Sequence, residues 1–234
     1  MPRGARIVIP NVPHHITQRG NNKQDVFFVD DDKVKFLNLL KKQSRKFGLI
    51  IDGFCLMTNH IHIISTPTKE DSLAKTMGRT NLLYSQYLNY MHGRTGHLWQ
   101  NRFFSCPLDT NYFFTALCYI EQNPARGKMV RSPWTYRWSS AAFHASGNDE
   151  FGLMDNEKWQ RLSSGLDWKA ILRKRTESVD MDRLRVYCRT GRPLGSDKFI
   201  SKLETFLGRR LRALPVGRPK NKKDNKKKKK IKTK

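Results

Sequence analysis

Hydrophobic and polar positions change their period several times along this chain, and the changes mark its elements. His14-His15-Ile16-Thr17-Gln18 reads as a short strand closed by the turn cluster Arg19-Gly20-Asn21-Asn22. Asp30-Asp31-Asp32 opens a helix with Val34, Leu37, Leu40 and Phe47 at helical spacing and carboxylates at the positive end of its dipole. Three consecutive aspartates do not share a face, so the run suits capping better than metal binding. Residues 49–56 and 60–64 are rich in β-branched and aromatic side chains, and Met57-Thr58-Asn59 between them predicts a hairpin. From 72 to 91, Leu73, Met77, Tyr84, Leu88 and Met91 fall on one stripe, giving a second helix. A strand-like stretch over 98–108 follows, and then a third helix over 111–123, which Pro124 cannot continue.

The order strand, helix, strand, strand, helix, strand, helix predicts an α+β fold. Its ferredoxin-like split βαβ form is an antiparallel sheet of four or five strands with helices on one face. Residues 134–143 close this domain, and His144-Ala145-Ser146-Gly147-Asn148-Asp149 marks a boundary. The expected division is therefore 1–143 as the main folded domain, 144–208 as a helical C-terminal region, and 209–234 as a basic disordered tail. In the middle segment Leu153, Trp159, Leu162, Trp168, Leu172, Leu184, Tyr187, Phe199, Leu203 and Phe206 are available for a small second core.

Composition adds the partner. Forty-five Lys and Arg against 20 Asp and Glu give a net charge of +25 over 234 residues, which points to a polyanion. The three segments carry +10, +2 and +13, so the charge divides between the folded domain and the tail. Lysine runs such as Lys226 to Lys230 bind any phosphate backbone without reading sequence. With 38% hydrophobic residues the chain has enough apolar material to fold. No apolar run approaches the roughly 20 residues of a spanning helix, and residues 1–15 lack a secretory signal's apolar stretch. The expectation is a soluble cytoplasmic, nucleoid-associated protein without a membrane partner. Cys55, Cys106, Cys118 and Cys188 form no C-x-x-C pair, so they read as reduced, buried small hydrophobes rather than a zinc knuckle.

His60-Ile61-His62 is the most informative tripeptide. On a strand both imidazoles project from one face, about 7 Å apart at Cα, and two so placed can hold one divalent ion. A surface or core accident explains such a pair equally well. On the third helix Tyr112, Ala116, Tyr119 and Asn123 share a face. Tyr119 and Asn123, one turn apart, can present a nucleophile and an amide oxygen to the same ion. The other reading has Tyr119 packed in the core and Asn123 ending the helix.

These residues carry a resemblance. Thr58-Asn59-His60-Ile61-His62-Ile63-Ile64, Gly96-His97-Leu98-Trp99-Gln100-Asn101-Arg102-Phe103 and Tyr119-Ile120-Glu121-Gln122-Asn123-Pro124-Ala125-Arg126 resemble the successive signatures of single-tyrosine HUH transposases. The nearest branch is the repeat-associated tyrosine transposases, whose chains also open like His14 to Asn22. The similarity covers about residues 1–143. Thr190-Gly191-Arg192-Pro193-Leu194-Gly195 and Leu207-Gly208-Arg209-Arg210-Leu211 resemble the C-terminal region of some members more loosely. Asn101 stands where the family commonly has Gly, and Glu121 to Lys128 departs from its usual His-Leu-Asn-Pro-Val-Arg-Ala-Gly.

The resemblance implies metal-dependent cleavage of single-stranded DNA beside a hairpin formed by a palindromic repeat. Tyr119 would form a 5′-phosphotyrosine, and Mg²⁺ or Mn²⁺ would sit on His60, His62 and Asn123. Each transesterification conserves bond energy, consistent with the absence of a G-x-x-x-x-G-K-[ST] loop. Arg19, Arg102 and Arg126 are candidate DNA contacts, as are Arg218 and Lys220 in a minor-groove arm around Gly217-Arg218-Pro219. The protein would act as a monomer or homodimer. Tyr112 is the alternative nucleophile. Two further readings stand beside this one: a non-catalytic DNA- or RNA-hairpin binder, and a carboxylate nuclease using Asp52, Asp109 or Glu121.

Overall fold

The computed structural model describes residues 6–174 and 178–213. Strands β1 (His14–Arg19), β2 (Leu49–Met57), β3 (His60–Pro67) and β4 (Phe104–Pro107) form one antiparallel sheet in the order β2-β3-β1-β4. Helix α1 (Asp30–Phe47) joins β1 to β2, and α2 (Ser72–Met91) joins β3 to β4. This is the expected ferredoxin-like α+β arrangement with four strands.

The aspartate run caps α1 as expected. Asp32 Oδ2 accepts the backbone N–H groups of Phe28 at 2.8 Å and Val29 at 3.1 Å. Gly48, at φ 66°, ends α1 in the left-handed conformation that glycine adopts without penalty. Phe36, Leu37 and Leu40 of α1 and Met77 and Tyr84 of α2 are fully buried in one core with Ile16, Ile61 and Ile63 of the sheet. Each such side chain contributes about 1.5–3 kcal/mol by leaving water. The Tyr84 hydroxyl donates to the Val26 carbonyl at 2.5 Å, satisfying the one polar atom the ring brings inside.

Strand alternation assigns the other face of the sheet to His15, Thr17, His60 and His62. Helices α3 (Thr110–Glu121) and α4 (Asn123–Arg126) cover it. Asp109 caps α3, accepting the Tyr112 N–H at 2.9 Å. Pro124 ends α3 as expected, but the chain starts a new helical turn at once with Pro124 in its first turn, where its missing N–H costs nothing. Beyond it lie α5 (Ala141–Ser146), α6 (Asn156–Leu162), α7 (Trp168–Arg173), α8 (Ser178–Thr190) and α9 (Asp197–Leu207).

Three expectations change. Only residues 104–107 of the stretch 98–108 form a strand; before them the backbone makes an isolated antiparallel bridge, Trp99 opposite Gly20, with Asn21 N–H donating to Leu98 O and Gln100 N–H to Arg19 O at the end of β1. Of the residues expected in a small second core, Trp168, Leu172 and Leu184 join the main core, while Leu203 and Phe199 pack in a separate small cluster with Ile9. Leu162 and Phe206 stay exposed. Charge placed residues 209–213 in the tail, yet Leu211 packs with Ile9 and Leu203 while Glu204 Oε1 accepts the Leu211 and Arg212 N–H groups. Residues 214–234 lie outside the described residues.

Candidate active site

The antiparallel register of β1 and β3 pairs Thr17 with His62 and Arg19 with His60, setting three imidazoles side by side. The rings of His60 and His62 lie 5.1 Å apart, and His15 stacks on His62 at 5.2 Å. Tyr119 comes down from α3 onto this group, 5.7 Å from His62 and 6.1 Å from His15, both edge-on. It is 6% exposed, so its ring is buried at the histidine face. Tyr112, the alternative nucleophile, lies two turns back with its hydroxyl accepting from Arg183 at 2.9 Å. Among the described residues only Tyr119 of the two touches the histidines.

Hydrogen bonding sets which ring nitrogens of the histidine pair stay free. His60 Nδ1–H donates to Asn59 Oδ1 at 2.7 Å, so Nε2 keeps its lone pair. His62 Nδ1 is 3.0 Å from His15 Nε2, which again leaves Nε2 as the outward nitrogen. Burial, with Arg19 adding to it, pushes the His60 pKa down to about 4. His62 is held well below the ordinary range by burial and then by His15, His60, Arg126 and Arg19. Both rings are therefore neutral at pH 7, the form that binds metal. Asn123 opens α4 with its Oδ1 held by Arg126, while its Nδ2 is buried with no partner among the described residues. The oxygen retains a second lone pair for an ion.

Arg126 ties these parts together. Its guanidinium stands 4.6 Å over the Tyr119 ring, and Nη2 donates to both Tyr119 O (2.6 Å) and Asn123 Oδ1. Arg185 of α8 reaches the same tyrosine, and its pKa is raised first by the hydrogen bond with Tyr119. The sequence pattern offered no signal for Arg185, which lies in the nearly neutral segment. His15 was equally hidden, because nothing but the strand register separates it from its neighbour His14. Arg19 is exposed beside His60.

Arg102 belongs to a different surface. It lines a groove of about 460 Å³ with Arg6, Arg189, Arg192, Arg209, Arg210 and Arg212. The two C-terminal motifs around Arg192 and Arg210 supply one wall. Phe103 contributes a flat ring, capped by the Arg6 guanidinium at 3.6 Å. Arg218 and Lys220 lie outside the described residues.

The three carboxylates of the nuclease alternative are all occupied structurally. Asp52 is buried against Lys158 and Thr66. Asp109 caps α3 and accepts the Ser196 N–H at 2.8 Å. Glu121 is fully buried and accepts from Ser140 Oγ (2.5 Å), His144 Nδ1 (2.5 Å) and Trp168 Nε1 (2.8 Å). None is placed to share a cation with another. Among the described residues, no helix is long and apolar enough to cross a membrane.

Residues 9–123 match the family described as IS200-like transposase. No match was found among curated protein sequences. The fold is similar to a solved REP-associated tyrosine transposase bound to a REP hairpin, with a TM-score of 0.53 at 16% identity, covering 67% of this chain and 93% of that one. A putative transposase from Deinococcus radiodurans R1 aligns with a TM-score of 0.35 at 14% identity, over 55% of this chain and 92% of that one.

Proposed function

Because the chain belongs through residues 9–123 to the IS200-like transposase family, we propose that it cuts and rejoins single-stranded DNA beside a hairpin, with Tyr119 as nucleophile. The observation that carries this reading is the Tyr119 ring set against His62 and His15 beneath two arginines. In the forward step Tyr119 Oη bonds to phosphorus as the P–O3′ bond breaks, and the phenol proton ends on the departing 3′ oxygen. The products are a 5′-phosphotyrosine and a free 3′-OH, and reversal with another 3′-OH rejoins a strand.

The chain's own groups supply positioning and charge. Arg126 and Arg185 face the phenol, where they stabilise negative charge as it develops on Oη. The carbonyl and Asn123 bonds of Arg126 fix the tyrosine's end of α3 relative to α4. His60 and His62, neutral and with Nε2 outward, would hold Mg²⁺ or Mn²⁺ together with Asn123 Oδ1. Such a cation supplies neutralising charge to the phosphate oxygens and orients the scissile bond.

The hairpin is assigned on the likeness to the REP-bound transposase, and the arginine groove supports it. Guanidinium groups there would hold phosphates. His60, His62 and Tyr119 come from one chain, so each protomer holds the whole set. Tryptic mass spectrometry after reaction with a hairpin-bearing single strand tests the proposal. A nucleotide on the peptide containing Tyr119 supports it; unmodified peptides with bound, uncut DNA favour the non-catalytic hairpin binder.

A further inference from the structure

One cluster beside the proposed site shares His15 with it and adds two cysteines the proposed chemistry does not use. A ring nitrogen of His15 and the sulfurs of Cys106 and Cys188 lie within 4.8 Å of one another, all three residues buried. They come from β1, β4 and α8, brought together because His15 pairs with Cys106 across the sheet and α8 packs on β4. His15 Nε2 is committed to His62, while His15 Nδ1 is buried with no hydrogen-bond partner among the described residues. A buried nitrogen beside two thiols is a strong chemical signal, since buried polar atoms are ordinarily satisfied by a partner. The other two cysteines, Cys55 and Cys118, are buried but outside the cluster.

We propose that His15, Cys106 and Cys188 form a second metal site, for a soft divalent cation of the zinc class. Two thiolates and one imidazole are the donor set such ions favour over magnesium. Two thiolate charges cancel one divalent charge, so the ion is buried as a neutral unit. Thr17 Oγ1, 3.6 Å from Cys188 Sγ, is the nearest oxygen to complete the shell. Loading releases the two thiol protons and consumes no oxidant.

The site also controls its neighbour. When His15 Nδ1 holds the ion, Nε2 must carry the ring proton and donate it to His62 Nδ1. His62 then carries its own proton on Nε2, the nitrogen the proposed catalytic cation requires. The soft site therefore opposes loading of the His60–His62 pair. This second half rests on the proposed function; the site itself does not.

Untagged full-length protein, kept reduced with a phosphine, tests the proposal with Zn²⁺ and Co²⁺ as probes. One equivalent of Co²⁺ should give thiolate-to-cobalt charge-transfer bands, lost in Cys188→Ser and kept in Cys55→Ser and in His60→Ala. Zinc-edge X-ray absorption on the unaltered protein needs no variant and should show two sulfurs at about 2.3 Å. Imidazole ¹⁵N spectra should show the His62 proton moving to Nε2 as zinc is added. Nitrogen and oxygen scatterers only, or charge-transfer bands surviving in Cys188→Ser, would overturn the site. An unmoved His62 proton would overturn its effect on the pair. Loss of DNA cleavage leaves the sulfur-bound ion in place, so the two readings fail separately.

Discussion

The Arg126 guanidinium reaches back seven residues to contact Tyr119 twice, donating to its carbonyl at 2.6 Å and lying 4.6 Å over its ring. Burial lowers the Arg126 pKa, so the position costs desolvation and has to be offset by these contacts and by Gln122 and Asn123. Arg126→Lys keeps the charge but loses the planar fork. Covalent adduct formation with hairpin DNA should fall about tenfold or more, a loss of roughly 1.4 kcal/mol in the barrier, with little change in melting temperature. Single-turnover rates check this, and a wild-type rate would refute the role given to the fork.

Glu121 anchors α3 by accepting from Ser140, His144 and Trp168 in a fully buried site. Glu121→Gln leaves donors facing an amide and removes the charge opposite His144. Stability should drop by about 3 kcal/mol, in the range for breaking a buried pair. Urea denaturation measures it. A cost below about 1 kcal/mol would mean the network is not what holds the nucleophile's helix.

Binding should depend on the arginine groove in a way that differs from cleavage. Arg102→Ala and Arg192→Ala each remove a groove cation while leaving the histidine and tyrosine group untouched. Affinity for hairpin DNA should weaken, and the slope of log affinity against log salt should fall by about 1 per arginine. Titrations at several salt concentrations give the slope; an unchanged slope removes the groove from the interface.

Stability should rise with pH through the histidine range. His14 is buried with Nδ1–H donating to Val12 O at 2.7 Å and Nε2 accepting the Ile9 N–H at 3.3 Å, so both nitrogens are used by the neutral ring. Burial pushes its pKa down to about 4. The unfolded ring titrates near 6.5 and binds more protons between those values, so its contribution is complete above about 6.5 and is lost as pH falls toward 4. The full difference is on the order of 3 kcal/mol. His60 and His62 act in the same direction. Urea midpoints at pH 7 and 5 should separate for the wild type and separate less for His14→Gln; equal separations would contradict the assignment.

Much of this architecture is written in local pattern. The stripe from Leu73 to Met91 marks α2 to the residue, and the β-branched runs mark β2 and β3 because they fill a half-buried pleat. His60 and His62 share a face because a strand alternates, as the pattern predicts, while Tyr119 is singled out on its helix only by the resemblance. His15, Arg185 and the Cys106–Cys188 pair were not, since only tertiary packing brings β4 and α8 to β1. The stretch before β4 misled for a related reason. Leu98, Trp99 and Phe103 are apolar because they pack onto the domain, while their backbone makes only an isolated bridge at the end of β1 and accepts from the Arg6 side chain.

The central claim is that Tyr119 makes the covalent bond. The most direct measurement is a denaturing gel of end-labelled hairpin single strand with wild type and Tyr119→Phe, each with and without Mn²⁺. A protein-linked DNA band is expected for the wild type with Mn²⁺ alone, and none for Tyr119→Phe, which should still shift the DNA on a native gel. A linked band that persists in Tyr119→Phe, or none from a folded, DNA-binding wild type, would contradict it.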